Sequence, residues 1–312
     1  MRSRRWNSSR QFIDHRSRSR ELCKTLPKLN QQQVDAFLHD GYLVIEETFP
    51  AGDLEPLIDE FTEAVDRNAN RAMAEGLVNA LHEHEPFETR LARLVESSPD
   101  HAAADDQGSI LFEGLRGKHK SPAMFALLTH PHLLDIVEAY IGPEILAHPQ
   151  FNVRAKLPNQ DRSVVPWHQD LGYLEQDAAE TFMVNFWVPL VDSDKENGCL
   201  EVIPGSHLSY IDHVGDLGPA GNFKGIPDDA LPPAAPVCCP VPRGGVLLLQ
   251  HRTIHRSVSN VSNTVRWSLD IRYSDPSLPT GRADVPGFIA RSQSSPERVA
   301  TSLDDWLETL QA

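Results

Sequence analysis

Trp167-His168-Gln169-Asp170 places an imidazole and a carboxylate two residues apart, after a run of β-type residues. On an extended backbone residues i and i+2 face the same way, about 6.6 Å apart along the strand, so both side chains can converge on one metal ion. Alone the pattern is weak: a chain with 14 histidines meets it roughly once by accident. A surface histidine beside a turn aspartate is then the plainer reading. A second cluster shifts the balance. His251-Arg252-Thr253-Ile254-His255-Arg256-Ser257 is followed by Asn260, Ser262 and Arg266. Two imidazole nitrogens and one carboxylate from separate strands make the facial triad of non-haem Fe(II) oxygenases, which leaves coordination positions open. Those positions suit a bidentate 2-oxo acid and O2, and an arginine on the neighbouring strand suits the far carboxylate of such a cosubstrate. Either His251 or His255 can be the third ligand; on an unbroken strand they lie roughly 13 Å apart, too far for both to bind one metal unless a turn intervenes.

The elements that must hold these residues are β-type. In the stretch after the second cluster, Trp267, Leu269, Ile271 and Tyr273 alternate with Arg266, Ser268, Asp270 and Arg272, which predicts an apolar face under helices and a polar face around a site. Short β-type runs separated by Pro, Gly, Asn and Asp are expected at about 145–157, 164–168, 181–191, 198–203, 244–250, 254–259 and 264–273, the pattern of a sandwich or barrel. Residues 208–243, rich in Gly and Pro, read as a long irregular insertion, a candidate lid.

Ahead of this region the spacing is helical. Asn30 is a candidate cap for a short helix ended by Gly41, with a strand from Tyr42 to Ile45. Apolar positions from Leu54 to Leu94 recur at helical intervals, and a further helix is expected from Pro131 to Tyr140, before Gly142-Pro143. A last helix is expected over about 296–311. The first twenty residues carry seven arginines against Asp14 alone. Residues 1–28 read as a disordered basic tail, or as an organelle import signal. Residues 29–312 form one domain: a helical part over 29–142, a β core over about 143–275 and the C-terminal helix.

The formal charge is −15, which argues against a nucleic-acid partner. No apolar run approaches the ~18 residues of a membrane span. Four cysteines without a CxxC pair give neither a disulfide framework nor a thiolate zinc site, and a cytoplasmic location follows as the expectation. His82-Glu83-His84-Glu85 falls in a helical stretch and reads as a solvated face. His207 follows Pro204-Gly205-Ser206 and reads as ordering a turn. Lys118-His119-Lys120 is either a solvated cluster or a source of a further cation for the site.

From Trp167-His168-Gln169-Asp170-Leu171-Gly172-Tyr173, through Asn197-Gly198-Cys199-Leu200 and Ile203-Pro204-Gly205-Ser206-His207, to His255-Arg256-Ser257, Asn260, Ser262 and Arg266-Trp267-Ser268-Leu269-Asp270, the chain resembles the phytanoyl-CoA dioxygenase family. The likeness extends over most of 29–275 and includes Gly41-Tyr42-Leu43-Val44-Ile45. It implies a mainly β fold with N-terminal helices, a double-stranded β-helix (jelly roll, cupin-like) that binds Fe(II) and 2-oxoglutarate. By position His168, Asp170 and His255 match the iron ligands. Arg266, eleven residues on, matches the arginine that grips the 2-oxoglutarate C5 carboxylate, with Ser257 beside it. Trp187 matches an aromatic near the cosubstrate, and Gln150 and Asn152 resemble residues that line its pocket. Related halogenases replace the ligand carboxylate with a small residue, so Asp170 speaks against halogenation. The implied activity is a dioxygenase that hydroxylates a C–H bond of a small metabolite or acyl compound, with release of succinate and CO2. Two other readings are a non-catalytic metal or 2-oxoglutarate sensor of the same fold and a cupin-type dioxygenase that uses O2 alone. No basic cluster is placed in the sequence for a CoA phosphate, and the acidic balance disfavours a polyanion.

Overall fold

The computed structural model describes residues 28–50, 52–98 and 109–310. The basic tail expected over 1–28 lies almost wholly outside them. Helix α1 (Gln31–Asp40) starts at a capping box, Asn30 with Gln33, and stops at Gly41 with φ +80°. Gly41 is doubly required, since a Cβ there would meet His207 Nδ1 at 2.4 Å as well as force a left-handed backbone. Strand β1 (Tyr42–Ile45) follows, then α2 (Glu55–Ala74) and α3 (Phe87–Glu96). The stretch expected to be helical from 53 to 94 is therefore broken. Gly76, at φ +73°, ends the first helix, and Pro86 opens the second. His82-Glu83-His84-Glu85 sits in the intervening turns and not on a helix face. Next come α4 (Pro122–Leu128), capped by Ser121, and α5 (Pro131–Ile141), ended by Gly142.

The β region consists of β2 (Ile145–Ala147), β3 (Asn152–Lys156), β4 (Val184–Pro189), β5 (Leu200–Val202), β6 (Val214–Leu217), β7 (Phe223–Gly225), β8 (Val237–Cys239), β9 (Val246–Gln250), β10 (His255–Ser257), β11 (Arg266–Ser274) and β12 (Phe288–Arg291); α6 (Leu303–Thr309) closes the described chain. The run expected over 145–157 is two strands, parted around Pro149, which has no N–H for a ladder. The run expected at 164–168 shrinks to a single bridge, His168 to His255. Residues 208–243 are less irregular than their composition suggests: β6 and β7 form a hairpin, and β8 joins a sheet. The last helix is shorter than expected, because a capping box at Ser302 starts it after a separate turn at Pro296–Arg298.

A seven-stranded sheet runs β1-β9-β4-β11-β2-β12, with β3 also on β11, and a smaller sheet runs β10-β5-β8. The alternation read from the sequence decides what each face does. Trp267, Leu269, Ile271 and Tyr273, all fully buried, join Val184, Phe186 and Val188 and the helices in one core. Trp267 lies between Phe61 of α2 and Phe87 of α3, with ring centroids at 5.8 and 4.8 Å. Tyr273 donates to the Leu128 carbonyl at 2.9 Å. Inward-facing Trp187, Leu247 and Leu249 meet Leu200, Val202 and Cys239 of the smaller sheet. The helices thus hold one face of the large sheet, and its other face is free to build a site against the small one. This is the jelly-roll arrangement. No described helix is long and apolar enough to cross a membrane.

Candidate metal centre

His168 and His255 are brought together by the bridge between them: each backbone N–H donates to the other's carbonyl, at 3.0 and 2.9 Å. The residue between the two halves of the motif fixes the loop. Gln169 is fully buried; its amide donates to Ser209 and Arg252 carbonyls at 2.7 and 2.6 Å, and its oxygen accepts from the Ile211 N–H at 2.9 Å. The chain then turns through Asp170–Tyr173, which swings the Asp170 carboxylate back toward the two imidazoles. One donor atom from each of His168, Asp170 and His255 lies within 4.8 Å of the others, and all three residues are buried.

The orientation of each donor is set by its other contacts. His168 Nδ1 is 2.9 Å from the Pro166 carbonyl, and His255 Nδ1 is 2.9 Å from that of Thr253. A carbonyl can only accept, so Nδ1 carries the proton and the Nε2 lone pair of each ring is left for a metal. Burial, reinforced by His255, lowers the His168 pKa to about 3, which keeps it the neutral ligand a metal needs. Burial alone would push Asp170 up, but Arg272 and the two imidazoles outweigh it, so the carboxyl sits well below its usual range. Arg272 donates to one carboxylate oxygen at 2.6 Å and Asn185 to the other at 2.5 Å. These two residues are register partners on β11 and β4. The donor set, two nitrogens and a carboxylate, fits Fe(II) of the facial-triad kind.

The three donors line a cavity of about 540 Å³. Arg266, Ser257, Trp187 and Asn152 line it as well. Arg266 is buried, donates to Ser268 Oγ, and stands 5.1 Å from the Trp187 ring centroid. Gln150 is not brought there: it precedes β3, and its side-chain oxygen accepts from Arg282 at 3.1 Å. His251 is buried but outside the donor cluster, because the chain turns at 251–252, straight after β9. His207 hydrogen-bonds the Leu38 carbonyl at 3.2 Å, an ordering contact. Lys118 is exposed and not among the lining residues, while His119 pairs with Glu60 at 2.9 Å.

Sequence reasoning missed Lys156, Arg154 and Asn185, and placed Arg272 on the polar face without its hold on Asp170. The available signal was the alternation Asn152-Arg154-Lys156 against Val153-Ala155; what it lacked was the knowledge that β3 and β4 flank β11. It also missed the charge of the cavity, whose lining includes Arg116, Arg154, Lys156, Arg162, Arg266 and Arg272 against Asp170 and Asp270. An acidic chain thus encloses a basic site, because β3 and β11 bring sequence-distant cations to one face. The insertion contributes Asn222 and Phe223 to the lining and is tied to the motif loop: the Ile226 N–H donates to the Trp167 carbonyl at 2.7 Å, and the Gln169 N–H to His213 Nε2 at 2.8 Å.

The sequence model of the family described as Phytanoyl-CoA dioxygenase (PhyH) matches residues 37–268. Phytanoyl-CoA dioxygenase domain-containing protein 1 of Bos taurus is 26% identical over 261 residues, covering 76% of this chain and 87% of that protein. The ectoine dioxygenase of Bordetella parapertussis is 24% identical over 262 residues, covering 79% of this chain and 75% of its own. Among solved structures, EctD from S. alaskensis with 2-oxoglutarate and 5-hydroxyectoine superposes with a TM-score of 0.53 at 21% identity, over 80% of this chain and 78% of that one. The fold is shared with that enzyme.

Proposed function

Since the chain belongs to the phytanoyl-CoA dioxygenase family and is an Fe(II)- and 2-oxoglutarate-dependent oxygenase, we propose that it hydroxylates a C–H bond of a small, acidic metabolite or acyl compound, with His168, Asp170 and His255 as the iron ligands. The observation that carries this reading is the convergence of those three donors on the floor of a cavity whose wall holds Arg266. Iron, when bound there, supplies O2 activation coupled to the oxidative decarboxylation of 2-oxoglutarate to succinate and CO2.

The chain's own residues do the rest. Asn185 and Arg272 fix the Asp170 carboxylate, and the Nδ1 hydrogen bonds fix the two rings, so the donors need no rearrangement. Arg266 and Ser257 hold the cosubstrate's C5 carboxylate, and Trp187 packs along the guanidinium. An O2-only enzyme has no second carboxylate for Arg266 to hold. Arg154, also on the cavity lining, donates to Asp270 through Nε at 2.6 Å. That guanidinium, with Arg162 on the same lining, is why we read the substrate as acidic. The insertion, through Asn222 and Phe223, excludes water from the reacting centre.

Two measurements test the proposal. The Fe(II)-loaded protein should release succinate from 2-oxoglutarate, and a metabolite extract should yield a product heavier by one oxygen atom and retained on an anion exchanger. Succinate release that survives removal of iron overturns the assignment.

A further inference from the structure

Lys156 and Arg266 are cross-strand partners in the β3–β11 register, with side chains on the same inward face. They are 2% and 3% exposed, respectively. Like charges directly opposite each other in a sheet repel, and a buried cation without a counter-charge is costly. Among the described residues neither forms an ion pair with a carboxylate. Lys156 Nζ donates to Ser257 Oγ at 2.9 Å and lies 3.4 Å from the Ser163 carbonyl, both neutral groups. Among the described residues the Arg266 Nε has no hydrogen-bond partner. The fold nevertheless makes room for the amine: Gly198, at φ +93°, lies under the lysine stem, where a Cβ would stand 3.0 Å from Lys156 Cε. Two basic side chains opposed in register, both lining the cavity and one of them bonded to Ser257, make a cradle for a carboxylate shared between them.

We propose that Lys156 is a second anchor for the cosubstrate's distal carboxylate, shared with Arg266, and that this pairing makes cosubstrate binding a proton-coupled event. The inference rests on the reading of the cavity as a 2-oxoglutarate pocket. The groups facing the amine are Arg266 from β11, Arg154 on its own strand, Asp161 from the turn at 161–163, and Ser257 from β10; the loop ahead of β5 brings Gly198 and, toward Arg266, the thiol of Cys199. Burial first, then the two arginines, lower the Lys156 pKa to about 6, against a weaker opposing pull from Asp161. Near neutral pH the free pocket therefore holds a neutral amine. An arriving carboxylate favours the ammonium, so the amine takes a proton from solvent as the ligand docks. The sign follows: affinity is flat below pH ~6 and falls about tenfold per pH unit above it, until the raised pKa of the complex is reached.

The test is calorimetric titration of 2-oxoglutarate into the Fe(II)-loaded protein without O2, at pH 7.5 and in buffers of different ionisation enthalpy. The wild type should take up close to one proton per ligand bound. Lys156→Met should bind at least tenfold more weakly with no proton uptake, while Lys156→Arg should bind without uptake and without pH dependence. Circular dichroism and iron content confirm that the variants fold. If Lys156→Met keeps the wild-type affinity and proton count, Lys156 is no anchor and the inference falls alone. A loaded wild type that binds no 2-oxoglutarate overturns the functional reading itself.

Discussion

Lys156→Met should make the protein more stable while impairing it. In the unfolded chain the amine titrates near 10.5, whereas in the fold burial and Arg266 lower it to about 6. At pH 7.5 the unfolded state therefore binds a proton that the native state does not. The interval of roughly 3 pH units corresponds to about 4 kcal/mol of lost stability. Methionine removes that cost and keeps most of the stem's packing. The change also loses the hydrogen bonds to Ser257 and the Ser163 carbonyl, worth about 1 kcal/mol each. Ser257 Oγ still accepts from the Val165 N–H at 3.0 Å, so it is not stranded. The net expectation is a gain of about 2 kcal/mol, or roughly 4–8 °C in Tm for a domain of this size. Urea unfolding of the metal-free proteins between pH 6 and 10 measures it. Because the folded pKa lies below the unfolded one, the advantage of the variant should be largest near pH 6, vanish near pH ~9 where the remaining titration cost equals the lost hydrogen bonds, and reverse as pH approaches 10.5. A variant less stable than wild type across that range, or an advantage that does not change with pH, would show that Lys156 is a charged structural partner and that no anion site is being held open at a cost.

Other outcomes can be checked alongside. His168→Ala, Asp170→Ala and His255→Ala should each lose stoichiometric iron with unchanged circular dichroism, while His251→Ala keeps iron; the reverse pattern for the two histidines would mean that the strand register is wrong. Arg266→Leu should mainly raise the 2-oxoglutarate concentration needed for half-maximal succinate release, which a steady-state titration reads directly. His148 and His251, each lowered by burial to about 4, are neutral in the fold and charged in the unfolded chain below about 6.5. Together they should remove several kcal/mol of stability as pH falls from 6.5 toward 4, seen as a steep acid limb in urea midpoints that His148→Gln flattens. Limited proteolysis should cut the β6–β7 hairpin first, and a turned-over substrate should protect it, since Asn222 and Phe223 line the cavity.

The donors were legible because each carries its signal locally. An imidazole and a carboxylate in a short motif, and a charged residue every second position in an apolar strand, need no knowledge of the rest of the chain. Lys156 and Asn185 carry a weaker signal: the alternation over 152–156 puts Lys156 on one face of a strand without telling which strand lies beside it. A lysine after Ala155 and an asparagine inside Phe182–Val191 look like a strand end and a flaw in an apolar run, and they acquire roles only because β3 and β4 both flank β11. Strand order is a long-range fact, fixed by which faces can be buried together, and one sequence does not display it. The hairpin at 214–225 was hidden for a different reason: its strands are half-exposed and glycine-rich, so they lack the apolar alternation that marks a strand. The helical reading of His82 to Glu85 failed because periodicity persisted across Gly76 and Pro86, two residues that end and restart a helix regardless of pattern.

Strand β11 shows how stability and chemistry are kept apart in this fold. Its odd-numbered residues, Trp267 to Tyr273, are fully buried against the helices, and truncating one of the aromatics should cost about 3–5 kcal/mol. Its even-numbered residues face the cavity, where Arg266 and Arg272 lower stability unless an anion answers them. Asp170 answers Arg272 permanently, at 2.6 Å. For Arg266 no described carboxylate does, so the same strand that anchors the helical layer also carries an uncompensated charge. The strand can tolerate this because the outer face holds its register: a slip of one residue would bury the arginines under α2 and α3 and expose Trp267 to the cavity. The apolar face thus fixes the position of the cations to within a residue, and the energy that does so is separate from the energy that a bound carboxylate would return.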